Sequence, residues 1–164
     1  SVTPLELRRS ESADVISSTA IRTALRRGDI VAAGEMLGRN MVIRGQVVHG
    51  DERGRTIGFP TANVDVPERF IIPADGVYAA KCLTEAGDEF ACAVNIGKRP
   101  TFYGSADRSL VECHLLDYSG DLYGQGLTVE FVERLRDEQR FDGLEALTTQ
   151  LRADVDRTRE CVRL

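Results

Sequence analysis

The sequence predicts a mainly β protein, an antiparallel barrel of five or six strands with two short helices in front and one helix behind. Three observations predict it. From Met41 onward, short runs of strand length and composition are separated by glycine and proline. No helix-period segment lies between those runs, which disfavours a βαβ sheet. An apolar stripe of helical period returns only at the end, through Leu144, Leu147, Leu151 and Val155.

In chain order, residues 1–14 are polar with little periodicity, and the chain opens on Ser1 without a methionine, as a fragment cut from something longer would. Residues 17–28 predict a helix, with serines to cap it, Arg26 and Arg27 in its last turn and Gly28 to stop it. Residues 30–37 predict a second, bracketed by Asp29 and Gly38. Strands are expected over 41–48, 77–83, 89–95, 109–116 and 127–134, with a hairpin turn at Glu85-Ala86-Gly87-Asp88. The last helix is expected to lie across the barrel and to start on a capping-box-like pair, Asp142 and Glu145.

Composition narrows the function classes. A chain of 164 residues, 42% of them hydrophobic, suits one domain with a single core. Its 21 basic and 26 acidic side chains give a net charge of −5 without blocks of like charge, so neither a nucleic-acid partner nor a membrane partner is expected. No stretch approaches the roughly 20 apolar residues of a membrane span, and residues 1–30 lack a signal-peptide pattern, so a cytoplasmic protein is expected. Cys82, Cys92, Cys113 and Cys161 are irregularly spaced with no CxxC pair, which argues against zinc and reads as buried thiols.

The segment His49-Gly50-Asp51-Glu52-Arg53-Gly54-Arg55-Thr56-Ile57-Gly58-Phe59-Pro60-Thr61-Ala62-Asn63 carries the chemistry. Glycines at 50, 54 and 58 let backbone N–H groups approach phosphate oxygens, and Arg53 and Arg55 offer planar, charge-assisted donors. His49 stands at the strand end beside this loop. GxxxxGK[ST] is absent, so a P-loop fold is disfavoured. Glycine spacing by itself also fits a plain turn. The tail Pro60-Thr61-Ala62-Asn63 adds a reason to prefer a site: in extended backbone Thr61 and Asn63 leave on one face and present two hard oxygen donors of the kind magnesium accepts. Both are neutral, so nucleotide phosphates would have to complete the shell.

The run Gly54-Arg55-Thr56-Ile57-Gly58-Phe59-Pro60-Thr61-Ala62-Asn63 resembles the flavokinase (riboflavin kinase) signature. The resemblance continues in family order through Asn95-Ile96-Gly97-Lys98-Arg99-Pro100-Thr101-Phe102, Val111-Glu112-Cys113-His114-Leu115-Leu116-Asp117, Asp121-Leu122-Tyr123-Gly124 and Leu135-Arg136-Asp137-Glu138-Gln139-Arg140-Phe141. It implies a six-stranded antiparallel, Greek-key-like barrel with a C-terminal helix and a short helical N-terminal extension. It also implies transfer of the γ-phosphate of ATP to the ribityl 5′-hydroxyl of riboflavin, giving FMN and ADP with Mg2+. Thr61 and Asn63 would then hold the metal, and His49, Gly50, Arg53, Gly54, Arg55, Gly58 and Pro60 would join them around ATP or ADP.

Alternation over 109–116 puts Leu110, Glu112, His114 and Leu116 on one face and Val111, Cys113 and Leu115 on the other, so a carboxylate interrupts an apolar strand. The resemblance assigns Glu112 as general base toward the ribityl hydroxyl. A carboxylate is too weak to strip an alcohol in the ground state. Its task is to orient the hydroxyl and take the proton late, as a loose phosphoryl-transfer transition state allows. Arg136, Glu138 and Phe141 match the family stretch that closes over the flavin, and equally fit a strand-to-helix connection. Tyr118 and Tyr123 suit either the adenine end of the nucleotide or barrel packing. A glycine loop and a 136–141 segment that close over bound substrates are expected of a transferase that must exclude water.

Ile16-Ser17-Ser18-Thr19-Ala20-Ile21-Arg22 resembles a segment near the end of the adenylyltransferase domain in bifunctional bacterial FAD synthetases. That likeness implies residues 1–38 as a remnant or linker from a preceding adenylyltransferase domain, the partner in the full-length protein, and residues 39–164 as the kinase unit. Enzymes that adenylylate FMN use a pair of nearby histidines on the nucleotide. With His49 and His114 as the only two histidines, that second activity is expected to be absent. The rival readings are a non-catalytic flavin- or nucleotide-binding barrel and an interaction domain whose Gly-Arg loop meets an acidic partner.

Overall fold

The computed structural model of the chain describes residues 16–50, 53–98 and 109–164. The polar segment 1–14, Asp51, Glu52, the motif residues Arg99, Pro100, Thr101 and Phe102, and the side chain of Arg53 lie outside them.

Helix α1 spans Ser18–Arg26, with the Ser17 hydroxyl accepting from the Ala20 N–H as the serine run predicts. Helix α2 spans Ile30–Leu37, capped by the Asp29 carboxylate on the Ala32 N–H and ended by Gly38 in the left-handed region. Strands follow as β1 (Val42–Val48), β2 (Ala62–Asp65), β3 (Gly76–Thr84), β4 (Glu89–Lys98), β5 (Ser109–Leu115) and β6 (Gly126–Arg136). A one-turn helix α3 (Arg53–Thr56) lies between β1 and β2, and α4 (Leu144–Cys161) closes the described fold. Among the described residues, six strands form a closed barrel in the order β1-β2-β5-β4-β3-β6, with every pair antiparallel.

The barrel is filled by period-2 alternation. Ile43, Val47, Val64, Tyr78, Val94, Ile96, Val111, Leu115, Val129 and Phe131 point inward in one apolar cluster. Tyr78 and Phe131 meet edge to face at 5.4 Å, and the Tyr78 hydroxyl is satisfied by the Ala74 carbonyl. Cys82, Cys92 and Cys113 belong to this interior as well, each 0% exposed, which agrees with the reading of buried thiols; Cys161 is only half-buried. Burial pushes the Cys92 thiol well above its ordinary range.

One part of the barrel interior is covered by α1 and α2. Leu25, Ile30 and Ala33 join the interior cluster at 2%, 4% and 0% exposure, and the Ala74 N–H donates to the Leu25 carbonyl. Burying a leucine of this kind contributes about 1.5–3 kcal/mol. Gly28 (φ +73°) makes the fit possible, because a Cβ there would stand 2.6 Å from Arg134 Nε.

The outer wall of β3, β4 and β6 carries α4, over a second cluster of Ala79, Ala91, Leu116 and Val162 with Val155 against it. Two expectations for this helix need correction. The N-cap is Gly143 (φ +152°) and makes no side-chain cap bond, so the helix begins one residue later than an Asp142–Glu145 capping box requires. Leu144 is 60% exposed, while the residues that α4 buries are the polar pair Asp154 and Thr158.

Candidate active site

Glu112 stands on the outward face of β5, opposite the buried Val111, Cys113 and Leu115. Register places it directly between Asn63 on β2 and Asn95 on β4. Asn95 Nδ2 donates to Glu112 Oε2 at 3.4 Å. The carboxylate is thus flanked in register by two amides and held by the one on β4, and its own face opens toward a cavity.

That cavity, about 460 Å³, lies between the outer wall of β4 and β5 and the helix α4. Glu112 and His114 form its floor with Asn95 and Gly97; Arg136, Glu138 and Phe141 form one side; Leu147 and Leu151 come from α4; and Gly54, Phe59 and Thr61 come from the glycine loop. A second cavity of about 320 Å³ is lined by Arg55, Pro60, Thr61, Tyr118, Asp121 and Tyr123, with Val47, Cys113, Leu115 and Leu122 on its inner side. Thr61 borders both cavities, so the loop that separates them belongs to each.

The loop is built to hold that position. Phe59 and Ile57 N–H donate to the Gly54 carbonyl, and Gly58 N–H donates to that of Arg55, so the segment turns back on itself and those three donors are committed internally. From the barrel side, His114 Nδ1–H donates to the Pro60 carbonyl at 2.7 Å, and the His114 ring meets Phe59 edge-on at 5.6 Å. His114 is therefore an anchor of the Pro-Thr-Ala-Asn segment. The sequence gives it no catalytic part, and the geometry gives it a supporting one.

Asn63 is 7% exposed, and its Oδ1 has no hydrogen-bond partner among the described residues. A buried carbonyl oxygen left unpaired costs about 1–3 kcal/mol. Gly50 packs so closely on this side chain that a Cβ would stand 2.1 Å from Asn63 Nδ2. His49 stacks on Tyr123 with ring centroids 3.8 Å apart. Tyr118 meets Phe90 edge-on at 5.1 Å, so it serves barrel packing and the second cavity at once. His49, Gly50, Gly58 and Asn63 line neither cavity.

The flavin-side expectations change most at Arg136. Its Nε and Nη2 donate to the two oxygens of Asp154 at 3.0 and 2.8 Å, and its Nη1 donates to the Asp137 carbonyl. Gln150 also donates to Asp154. The guanidinium lies 5.7 Å from the centre of the Phe141 ring. Arg136 lines the cavity with three of its five N–H donors already used, so it locks β6 to α4 before it can serve any ligand. The sequence reading does not anticipate Asp154. A signal was present, since residues 147, 151, 154 and 158 share one helical face and two of them are polar. Glu138 lies against Gly97, and its carboxyl is pushed up by burial and then by the negative charges of Asp75 and Glu112, with Arg136 acting in the opposite direction.

The chain is similar to known proteins over most of its length. The chain is 44% identical over 140 residues to the bifunctional riboflavin kinase/FMN adenylyltransferase of Bacillus subtilis (strain 168), an alignment covering 85% of this chain and 44% of the relative. Against the protein of the same description from Escherichia coli (strain K12) it is 46% identical over 145 residues, covering 88% and 45%. The chain thus spans less than half the length of the curated relatives it matches. Among solved structures, the macrolide-efflux protein from Streptococcus pneumoniae superposes with a TM-score of 0.87 at 37% identity, covering 94% of this chain and 50% of that one. Among the described residues no helix is long and apolar enough to cross a membrane. The riboflavin kinase from Trypanosoma brucei superposes with a TM-score of 0.52 at 23% identity, covering 73% of this chain and 77% of that one, which is a likeness of fold. The family described as "Flavokinase: Riboflavin kinase" matches residues 37–162, and with the barrel, the loop and the strand glutamate in place the chain belongs to the riboflavin kinase family.

Proposed function

We propose that this chain transfers the γ-phosphate of ATP to the ribityl 5′-hydroxyl of riboflavin, yielding FMN and ADP. The observation that carries the proposal is the pair of cavities meeting at Thr61, with Glu112 on the floor of one and the arginine-bearing loop on the wall of the other. Two substrates that exchange a phosphoryl group need two adjoining sites with a shared border, and a lone binding pocket does not need that plan.

In this reading ATP occupies the Arg55, Tyr118 and Tyr123 side, with Gly54, Pro60 and Thr61 at the phosphates. Riboflavin occupies the Glu112 side, its ring system between Phe141, Leu147 and Leu151. Glu112, held by Asn95, accepts a hydrogen bond from the ribityl hydroxyl, orients its oxygen toward the phosphate, and receives the proton as the new bond forms. Arg136 contributes by fixing the segment that bears Glu138 and Phe141, through Asp154.

The donor set suits a hard divalent cation, assigned here as magnesium. Asn63 offers a buried, unpartnered amide oxygen, and Thr61 a hydroxyl two residues away. When bound, the ion supplies charge neutralisation to the phosphates. Asn63→Ala is expected to raise the magnesium concentration for half-maximal activity by at least the order of 10–100-fold that outer-shell changes cost. The same change should leave the unfolding free energy of the ligand-free protein within about 1 kcal/mol, since it removes an unsatisfied group. Marked destabilisation without any shift in magnesium dependence would remove Asn63 from the metal site.

Residues 39–164 are proposed as the kinase unit and 1–38 as the connection to a preceding adenylyltransferase domain in the full-length cytoplasmic protein; no FMN adenylylation is proposed for this chain. The direct test incubates it with riboflavin and Mg·ATP and follows FMN by chromatography, with calorimetry of ADP and FMN binding alongside. Binding without turnover under several conditions would favour the non-catalytic barrel. FAD made from FMN and ATP would overturn the assignment of a single activity.

A further inference from the structure

Three cysteines far apart in sequence come together inside the barrel. Cys82 on β3, Cys92 on β4 and Cys113 on β5 all point inward, and their Sγ atoms lie within 4.8 Å of one another. Each is 0% exposed; Cys82 and Cys92 line neither cavity, and Cys113 touches only the inner side of the second. Spacing along the chain hides this, because the grouping depends on inward alternation of three neighbouring strands.

We propose that Cys82, Cys92 and Cys113 form a three-thiolate site for a trivalent metalloid hydroxide of the arsenite class. Size and charge lead to that class. A trivalent centre that carries a lone pair bonds three sulfurs as a pyramid and draws them closer than the present 4.8 Å limit, a contraction that side-chain rotation supplies. No fourth His, Cys, Asp or Glu joins the group among the described residues, and all three cysteines belong to the apolar interior cluster, where the Tyr78 hydroxyl is satisfied by Ala74.

Zinc would need a fourth ligand and would leave a net negative charge in that interior; monovalent copper would leave a larger one. A trivalent centre with three thiolates is neutral and has no remaining ligand position to fill. The step balances without an oxidant: As(OH)3 and three thiols give As(SR)3 and three waters, each As–O bond exchanging for an As–S bond while each thiol proton leaves on a hydroxide. A disulfide would need an oxidant and would use only two of the sulfurs. Cys113 borders the second cavity, which gives the reagent a route through local opening of the barrel.

The test treats the folded chain with sodium arsenite, using a phosphine as reductant so that no competing thiol is present. Intact mass is expected to rise by one arsenic less three hydrogens, and alkylation after denaturation should then find only Cys161 reactive. Cys161→Ser should keep the adduct, and Cys92→Ala should lose it. Should Cys92→Ala fail to fold, arsenic X-ray absorption on the unaltered chain still decides, with three sulfur neighbours and no oxygen as the expected shell. Absence of an adduct on the folded protein, protection of fewer than these three cysteines, or oxygen in the shell would each overturn the proposal.

Discussion

Replacing Glu112 with glutamine is expected to lower FMN formation by about 10²–10⁴-fold, the range that positioned proton transfer contributes. Shape and most hydrogen bonding survive, because the glutamine oxygen can still accept from Asn95 Nδ2. Calorimetric affinities for ADP and FMN should therefore change only a few-fold. The comparison separates two roles that a bare loss of activity confounds. A residue that only shaped the cavity would lose binding with turnover, whereas a proton acceptor loses turnover alone. Wild-type turnover in Glu112→Gln would end the assignment of Glu112, and the strand carboxylate would then be a polar member of the cavity wall.

The second large effect is expected on stability. Asp154 is 5% exposed at its side chain and Arg136 17%, and they meet through two parallel N–H···O bonds. Asp154→Ala leaves the guanidinium buried without its counter-charge, at a cost of about 3–5 kcal/mol. Urea unfolding with an unchanged slope would measure it. A paired replacement, Arg136→Met with Asp154→Leu, should recover most of the loss, because the desolvation of both ions is removed together. The exposed pair Arg159–Asp117 provides the contrast: although bidentate, it is solvated, and Asp117→Asn should hardly move the midpoint. Equal effects at both pairs would show that burial does not set the difference.

Much of this plan is legible in the sequence, and what is not has identifiable physical reasons. Capped helices announce themselves locally, and α1 and α2 fall where Ser17, Asp29 and Gly38 put them. Long strands with period-2 burial are also local statements, so β1, β3, β4, β5 and β6 agree with the expected runs to within three residues at either end. Strand β2 is harder, since four residues beyond Pro60 give too short an alternation to read, although the extended backbone expected at Thr61 and Asn63 is its beginning. The one-turn α3 is fixed by internal loop bonds rather than by periodicity. The two faces of β5 follow from alternation alone, whereas the outward direction of the Glu112 face is set by the closed barrel. Asp154 with Arg136, and the three interior thiols, are long-range meetings. They depend on which strands neighbour which and on where α4 crosses the wall, information that no short window contains.

The way α1 and α2 meet the barrel also bears on how such a protein can be handled. The match to the riboflavin kinase family description begins at residue 37, yet Leu25, Ile30 and Ala33 lie in the same interior cluster as the strands, keyed in place where Gly28 admits Arg134. A recombinant version cut to the family boundary would keep all six described strands and still lose part of its own interior covering, exposing greasy surface to neighbouring copies. Solubility on expression, more than the chemistry at Glu112, is where that shortened version would first go wrong.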